Sequence, residues 1–309
     1  MSRQLLIIEM ILIPLGISLI FGCRGVPFYR MTSKASASLV HSREGIIAFE
    51  RGDLDKAEAQ FKTALDLNEA DLEVHRYYAE TLWEQERQQE AIDVLTKAST
   101  RIGTLDNEIQ LYESLGKKLL TMNRPSDALD CADKIIDLAP QKEAGWLIRA
   151  NACSQLNRKD ESLANYQKAL HFSPDNREIL FKIANIQMQM QLFDRALASW
   201  QHLERLYPAQ MEPVDVLYGK AIAYRELNRL DDALDNISIA IDMTPDRIEL
   251  YQIATEIALK KQDYKRAKAL VSQCALHFPN DISTQQMIQK IDDLIQIAAR
   301  DRSDQLRIQ

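Results

Sequence analysis

Of the two side chains most often used as nitrogen and sulfur ligands or as general base and thiolate nucleophile, this chain of 309 residues carries five histidines and four cysteines. His41 and His75 fall 34 residues apart, while His171, His202 and His277 share no such spacing. A zinc site needs three or four N, S or O ligands converging at about 2.0–2.3 Å, and two histidines alone do not supply them. Cys131, Cys153 and Cys274 occur singly and read as small apolar packing residues rather than a disulfide or redox framework. No phosphate-binding loop, zinc-protease histidine pair or nucleophile elbow occurs. The sequence therefore offers no catalytic residue, no metal ligand set and no cofactor site. A formal net charge of -7 and a pI near 5.4, with no clustered basic surface, argue against a nucleic-acid partner.

The strongest signal is a lattice. Pro140, Pro174 and Pro208 are spaced by 34 residues, Pro245 follows after 37 and Pro279 after another 34. Twelve residues before each proline stand Ala128, Ser162, Ala196, Ala233 and Ala267, and twenty-four before it Gly116, Ala150, Ala184, Ala221 and Thr255. Two more units lack the proline and keep the rest, in Gly45, Ala57, Phe61 and Ala64 and in Ala79, Ala91, Leu95 and Ala98. Between the two small residues of a unit, Gly52, Asn123, Asn157 or Asn228 interrupts four of the seven units. Such residues tolerate positive φ and end helices, and the acidic residues that follow favour a new helix start. Each unit reads as helix, tight turn, helix, with small side chains where the two helices cross closely.

This pattern resembles the tetratricopeptide repeat family, in whose phase the units begin at residues 38, 72, 109, 143, 177, 214 and 248, with three-residue insertions at 106–108 and 211–213. The resemblance implies an all-α solenoid of about seven repeats over residues 38–281. A capping helix over 282–300 is expected to follow, started by Ser283 or Thr284 and burying Met287, Ile288, Ile291, Leu294, Ile295 and Ala298. A charged tail, 301–309, ends the chain. In this family the first helices of successive units line a concave groove. Carried over position by position, Phe49, Trp83 and Leu120 form an apolar strip, Phe181 and Tyr218 lie in adjacent units, and Asn151 and Asn185 stand one repeat apart. Amides so placed can each donate to and accept from an extended peptide backbone. The lysine and asparagine clamp by which some family members hold a C-terminal carboxylate is not reproduced, because Ser42, Arg76 and Glu113 occupy the fifth position of the first three units.

Residues 5–22 are almost wholly apolar, with Arg3 before them and Cys23 after, so residues 1–22 read as a signal peptide or membrane anchor rather than as fold. The run Leu19, Ile20, Phe21, Gly22, Cys23 is similar to the lipobox of bacterial lipoproteins, which implies acylation of Cys23 and a place in the bacterial cell envelope. Phe21 is bulkier than that family usually carries. Arg24, Arg30 and Lys34 outnumber Arg3, and the positive-inside rule would instead keep the repeats cytoplasmic on an uncleaved inner-membrane anchor. Residues 23–37 read as a flexible tether reaching at most roughly 45 Å.

The expected protein is a non-catalytic, membrane-tethered interaction scaffold that binds a peptide or partner protein in its groove. The alternatives are a pilotin-like or outer-membrane assembly lipoprotein and a cytoplasmic-facing regulatory subunit.

Overall fold

The computed structural model describes residues 28–208 and 211–308, which form fifteen helices and no strand. The chain divides into two compact units, Met1–Glu69 and Ala70–Gln309. In the first, α1 (Phe28–Glu50) and α2 (Leu54–Leu67) make a hairpin. The second holds α3 (Leu72–Glu84), α4 (Gln88–Ala98), α5 (Leu105–Thr121), α6 (Pro125–Leu138), α7 (Glu143–Gln155), α8 (Lys159–Phe172), α9 (Arg177–Gln189) and α10 (Phe193–Arg205). It continues through α11 (Val214–Glu226), α12 (Leu230–Met243), α13 (Ile248–Lys260), α14 (Tyr264–His277) and α15 (Ile282–Ile308).

Within each pair the reversal is made the same way seven times. Gly52, Glu86, Asn123, Asn157, Gln191, Asn228 and Gln262 all take φ between 54° and 76°. The N–H of each following residue reaches the carbonyl five positions back, as in Asp53 to Ala48, Arg124 to Leu119 and Leu192 to Gln187, at 2.8–2.9 Å. That six-to-one bond is the Schellman closure of a helix C-terminus. The sequence marks four of these turns by residue type. The other three are held by glutamate or glutamine in a conformation that costs an L-residue roughly 1–2 kcal/mol.

The small residues expected at the crossings are fully buried there. Ala57, Ala91, Ala128, Ser162, Ala196, Ala233 and Ala267 are all 0% exposed. Four positions further along the second helix a larger side chain fills the space between the pair: Phe61, Leu95, Tyr166, Trp200, Ile237 and Val271, with Ala132 in the third pair. In the first unit the ring of Phe61 lies where a side chain on Gly45 would be, since a Cβ there would stand 2.6 Å from its Cε1. After four of the lattice prolines a tight turn closes with an N–H to carbonyl bond across it, from Lys142 to Ala139, Asn176 to Ser173, Arg247 to Thr244 and Asp281 to Phe278. Proline at the second position of such a turn supplies its φ in advance.

In the second unit α3, α5 and α7 touch in series, as do α9, α11 and α13, whereas the even-numbered helices make no comparable contact with one another. The odd layer is therefore the tighter, concave side. The two insertions act differently. The first lengthens α5 at its start, giving 17 residues against the 13 of α7, with Thr104 accepting from the Asn107 N–H. The second lies in the link from α10 to α11.

The ends depart from the sequence reading. Helix α1 begins at Phe28, inside the stretch read as a tether, and α15 continues to Ile308 through the stretch read as a charged tail. Ile291 is fully buried in the core cluster that holds the apolar residues of α13 and α14, with Met287, Ile288 and Ile295 packed against that cluster, and α15 packs on α14, capping the last pair as expected. Its cap is not Ser283 or Thr284. Asp281 accepts from the Thr284 N–H at 2.6 Å and from the Ser283 and Thr284 hydroxyls at 2.5 and 2.9 Å. Those bonds, Ser283's first, hold the Asp281 carboxyl below its ordinary value, so this contribution is present at neutral pH and is lost as acidification passes that lowered value. Cys23 and the apolar run before it lie outside the described residues.

Because the crossing at Ala196 has no spare room, Ala196→Leu overpacks it. It is expected to destabilise the protein by about 1–3 kcal/mol in thermal or urea denaturation while circular dichroism remains helical.

Candidate functional site

Of the clefts on the odd layer of the second unit, two hold residues predicted from the sequence. The larger, about 910 Å³, is walled by α5, α7 and the start of α9, with Leu120, Leu147, Asn151, Ser154 and Gln155 among its lining residues. The smaller, about 540 Å³, lies over α9 and α11 and is lined by Phe181, Asn185, Met188, Tyr218 and Ile222, with Asp215 and Arg247 at a 2.8 Å ion pair.

The second-layer helices reach through to both clefts, a contribution the sequence reading assigned only to first helices. Tyr166 of α8 lines the larger one, and its hydroxyl donates to Asn151 Oδ1 at 2.6 Å. Burial, then the nearby Glu178 carboxylate, raises its pKa, so it stays a neutral donor. Trp200 of α10 lines the smaller cleft beneath Gly219. A Cβ on that glycine would come within 2.5 Å of the indole Cζ2, so the bulkiest core side chain and the bare backbone opposite require each other. Phe181 meets Trp200 edge to face at 5.2 Å. The signals for this floor were in the chain: aromatics at 166 and 200 where most other units carry an aliphatic residue, and a lone glycine at 219.

The sequence-predicted residues divide accordingly. Phe181, Asn185 and Tyr218 come together in the smaller cleft and Asn151 lies in the larger. Phe49 belongs to the first compact unit and is half-buried near the end of α1. Trp83 is half-buried against the core of its own unit, and the Lys118 ammonium sits 4.4 Å over its ring. Lys118 is itself buried and paired with Glu80 at 2.7 Å, while Ser114 donates to the same carboxylate at 2.9 Å. Trp83 is thus engaged inside its own unit, with one ring face covered.

The two asparagines present complementary groups. Asn151 uses its oxygen on Tyr166 and keeps its N–H donors, whereas Asn185 donates to the Phe181 carbonyl at 2.9 Å and keeps its oxygen. The charges of the larger cleft cancel, Lys117, Lys142 and Lys182 facing Glu113, Glu143 and Glu178. Lys117 is paired with Glu113 at 2.7 Å, and Glu143 accepts from Ser173 and from Asn176.

His41 bonds Gln60 at 2.7 Å within the first hairpin. Among the described residues no group of three His, Cys, Asp or Glu is placed to hold a metal ion. Burial pushes the Cys131 thiol up to about 12, with Asp130 and Asp127 adding to the shift, and burial likewise raises Cys153 and Cys274. Thiols so placed stay protonated at neutral pH and are poor nucleophiles.

A sequence profile for the tetratricopeptide repeat matches residues 42–104 and 181–248, and one for the TPR repeat matches residues 150–191. Comparison with curated proteins gives no match. Among solved structures, the C-terminal part of a TPR repeat-containing protein from Cytophaga hutchinsonii is 12% identical with a TM-score of 0.68, over 80% of this chain and 99% of that one. PilF of Pseudomonas aeruginosa is 13% identical with a TM-score of 0.60, over 72% and 99%. YrrB, described as a TPR protein with an unusual peptide-binding site, is 18% identical with a TM-score of 0.50, over 66% and 97%. At these identities the likeness is one of fold. With the same left-handed turn and the same small residues recurring through every pair, the chain is an all-α protein built of tetratricopeptide repeats.

Proposed function

We propose that the chain is a non-catalytic scaffold whose concave odd layer holds an extended segment of a protein partner. One observation carries this: two adjacent clefts with aromatic floors each present an asparagine amide with unused hydrogen-bonding capacity, donors at Asn151 and an acceptor at Asn185. A peptide backbone offers both groups in alternation, so the N–H donors left at Asn151 and the oxygen and remaining N–H left at Asn185 can hold it without reading its side chains. YrrB, a structure of the same fold, is described as having a peptide-binding site, which supports the class of ligand.

The scaffold is further proposed to be a bacterial envelope lipoprotein held to a membrane through Cys23. Support comes from the apolar run at residues 5–22 and the lipobox-like residues 19–23. Among the described residues no helix is long and apolar enough to cross a membrane. One acyl chain gives only marginal membrane binding and several give a stable anchor, so stable attachment through Cys23 calls for multiple acylation.

Photo-crosslinking tests the groove. A photoreactive residue at Ser154 or Gln189, both exposed in the clefts, is expected to capture the partner, and one at Ile239 or Leu276 on the even layer is not. Capture from the even layer alone refutes the groove. Asn151→Ala combined with Asn185→Ala is expected to weaken the captured complex by about tenfold or more, and because Asn151→Ala also takes the acceptor from the Tyr166 hydroxyl, Tyr166→Phe with Asn151→Ala serves as the stability-matched control.

Mass spectrometry of the mature N-terminus tests the anchor. Acylated Cys23 is expected as the first residue, and Cys23→Ser should abolish that species. An intact N-terminus from Met1 without acyl mass would rule the lipid anchor out.

A further inference from the structure

The smaller cleft is built for more than a backbone. Ile222 lines it and is half-buried, so part of an aliphatic side chain faces the cleft. Phe181, Met188 and Tyr218 supply the rest of the apolar lining, and the buried Trp200 indole supports the floor beneath the Gly219 backbone, which lies directly against it. The only two charged lining residues, Asp215 and Arg247, neutralise each other. A volume of about 540 Å³ accommodates one large side chain together with the backbone that carries it. Next along the odd layer, the larger cleft carries three lysines and three glutamates. Neither cleft presents a net charge to a bound segment, in contrast to a surface that selects acidic or basic tails.

Resting on the groove reading above, we infer that the cleft over α9 and α11 is a specificity subsite for one bulky apolar side chain, aromatic or long aliphatic. The segment that carries it is extended and uncharged around that residue. The Asn185 oxygen accepts the N–H of the segment beside the seated residue, and the ring or alkyl chain lies against Ile222 and over the Trp200 floor. Affinity then comes from apolar burial, which salt does not screen, rather than from ion pairing, which it does.

The probes are short synthetic peptides, acetylated and amidated, of a glycine, serine and asparagine host with one central residue varied among Phe, Leu, Ala, Lys and Glu. Binding to the full chain is read by fluorescence polarisation of a dye-labelled set. The Phe and Leu peptides are expected to bind about tenfold or more tighter than the Ala peptide. That preference should hold between about 0.05 M and about 0.5 M salt. Ile222→Lys should abolish the preference without altering the melting profile, and Leu276→Ala, exposed on the even layer, should leave the preference in place. Preference for Lys or Glu, a preference that survives Ile222→Lys, or absence of binding by every peptide overturns the subsite. Photo-crosslinking from Ser154 and Gln189 separates the two levels. If those positions still capture a partner, the groove stands and only the subsite falls; if they capture none, the groove reading has failed.

Discussion

Everything in this fold depends on the reversal between the two helices of a pair being made by one residue in the left-handed conformation. A single such residue lets the N–H after it close on the carbonyl five back, which fixes where the first helix ends and the direction in which the second sets out. Repeated at Gly52, Glu86, Asn123, Asn157, Gln191, Asn228 and Gln262, it forces each second helix back along its partner at the same register. The bare residues at 57, 91, 128, 162, 196, 233 and 267 then meet the first helix, and close approach is possible because none carries more than a methyl or hydroxymethyl group. Where the register changes by three residues, helix α5 lengthens or a link grows, and the turn itself is untouched.

From that register follows the form of the concave face. A residue four positions past the bare crossing on a second helix points between the helices of its pair, and when it is large it fills the space as far as the opposite surface. Tyr166 reaches Asn151 and Trp200 reaches the gap at Gly219, so the core side chains of two units double as the floors of two clefts. Buried cations are accommodated by pairing rather than exclusion. Lys118 with Glu80 and Lys220 with Glu204 sit at 2.7 and 2.6 Å, and removing one member would leave a charge buried without compensation. The exposed arginine and acid pairs after the turns, Arg87 with Glu90, Arg124 with Asp127 and Arg229 with Asp232, are solvent-screened and add little.

The helix pairs, their number and their crossing points were legible in the sequence because small residues and prolines at a fixed period leave few other packings. Three turns were not, since Glu86, Gln191 and Gln262 give no residue-type signal and are forced into positive φ by the helices on either side. Asn151, Phe181, Asn185 and Tyr218 were placed by their repeat positions and do line clefts, whereas Trp83, read as a groove anchor, lies half-buried beneath Lys118 of the next repeat, a contact that no single repeat encodes. Tyr166, Trp200 and Gly219 escaped for a related reason. A core side chain lies directly beneath a cleft only when the residue opposite it is small enough to let it approach.

The dependence on the left-handed turn is most directly tested by urea denaturation of Gly52→Ala beside Gln262→Gly. At Gly52 a Cβ would meet nothing within 4 Å, so alanine there is penalised by backbone conformation alone. Gly52→Ala is expected to lose about 1 kcal/mol, and Gln262→Gly to gain stability because the left-handed φ of 61° no longer opposes an L side chain. Opposite signs at the two sites support the turn as the governing constraint. A Gly52→Ala protein as stable as the parent, or a Gln262→Gly protein less stable, would contradict it.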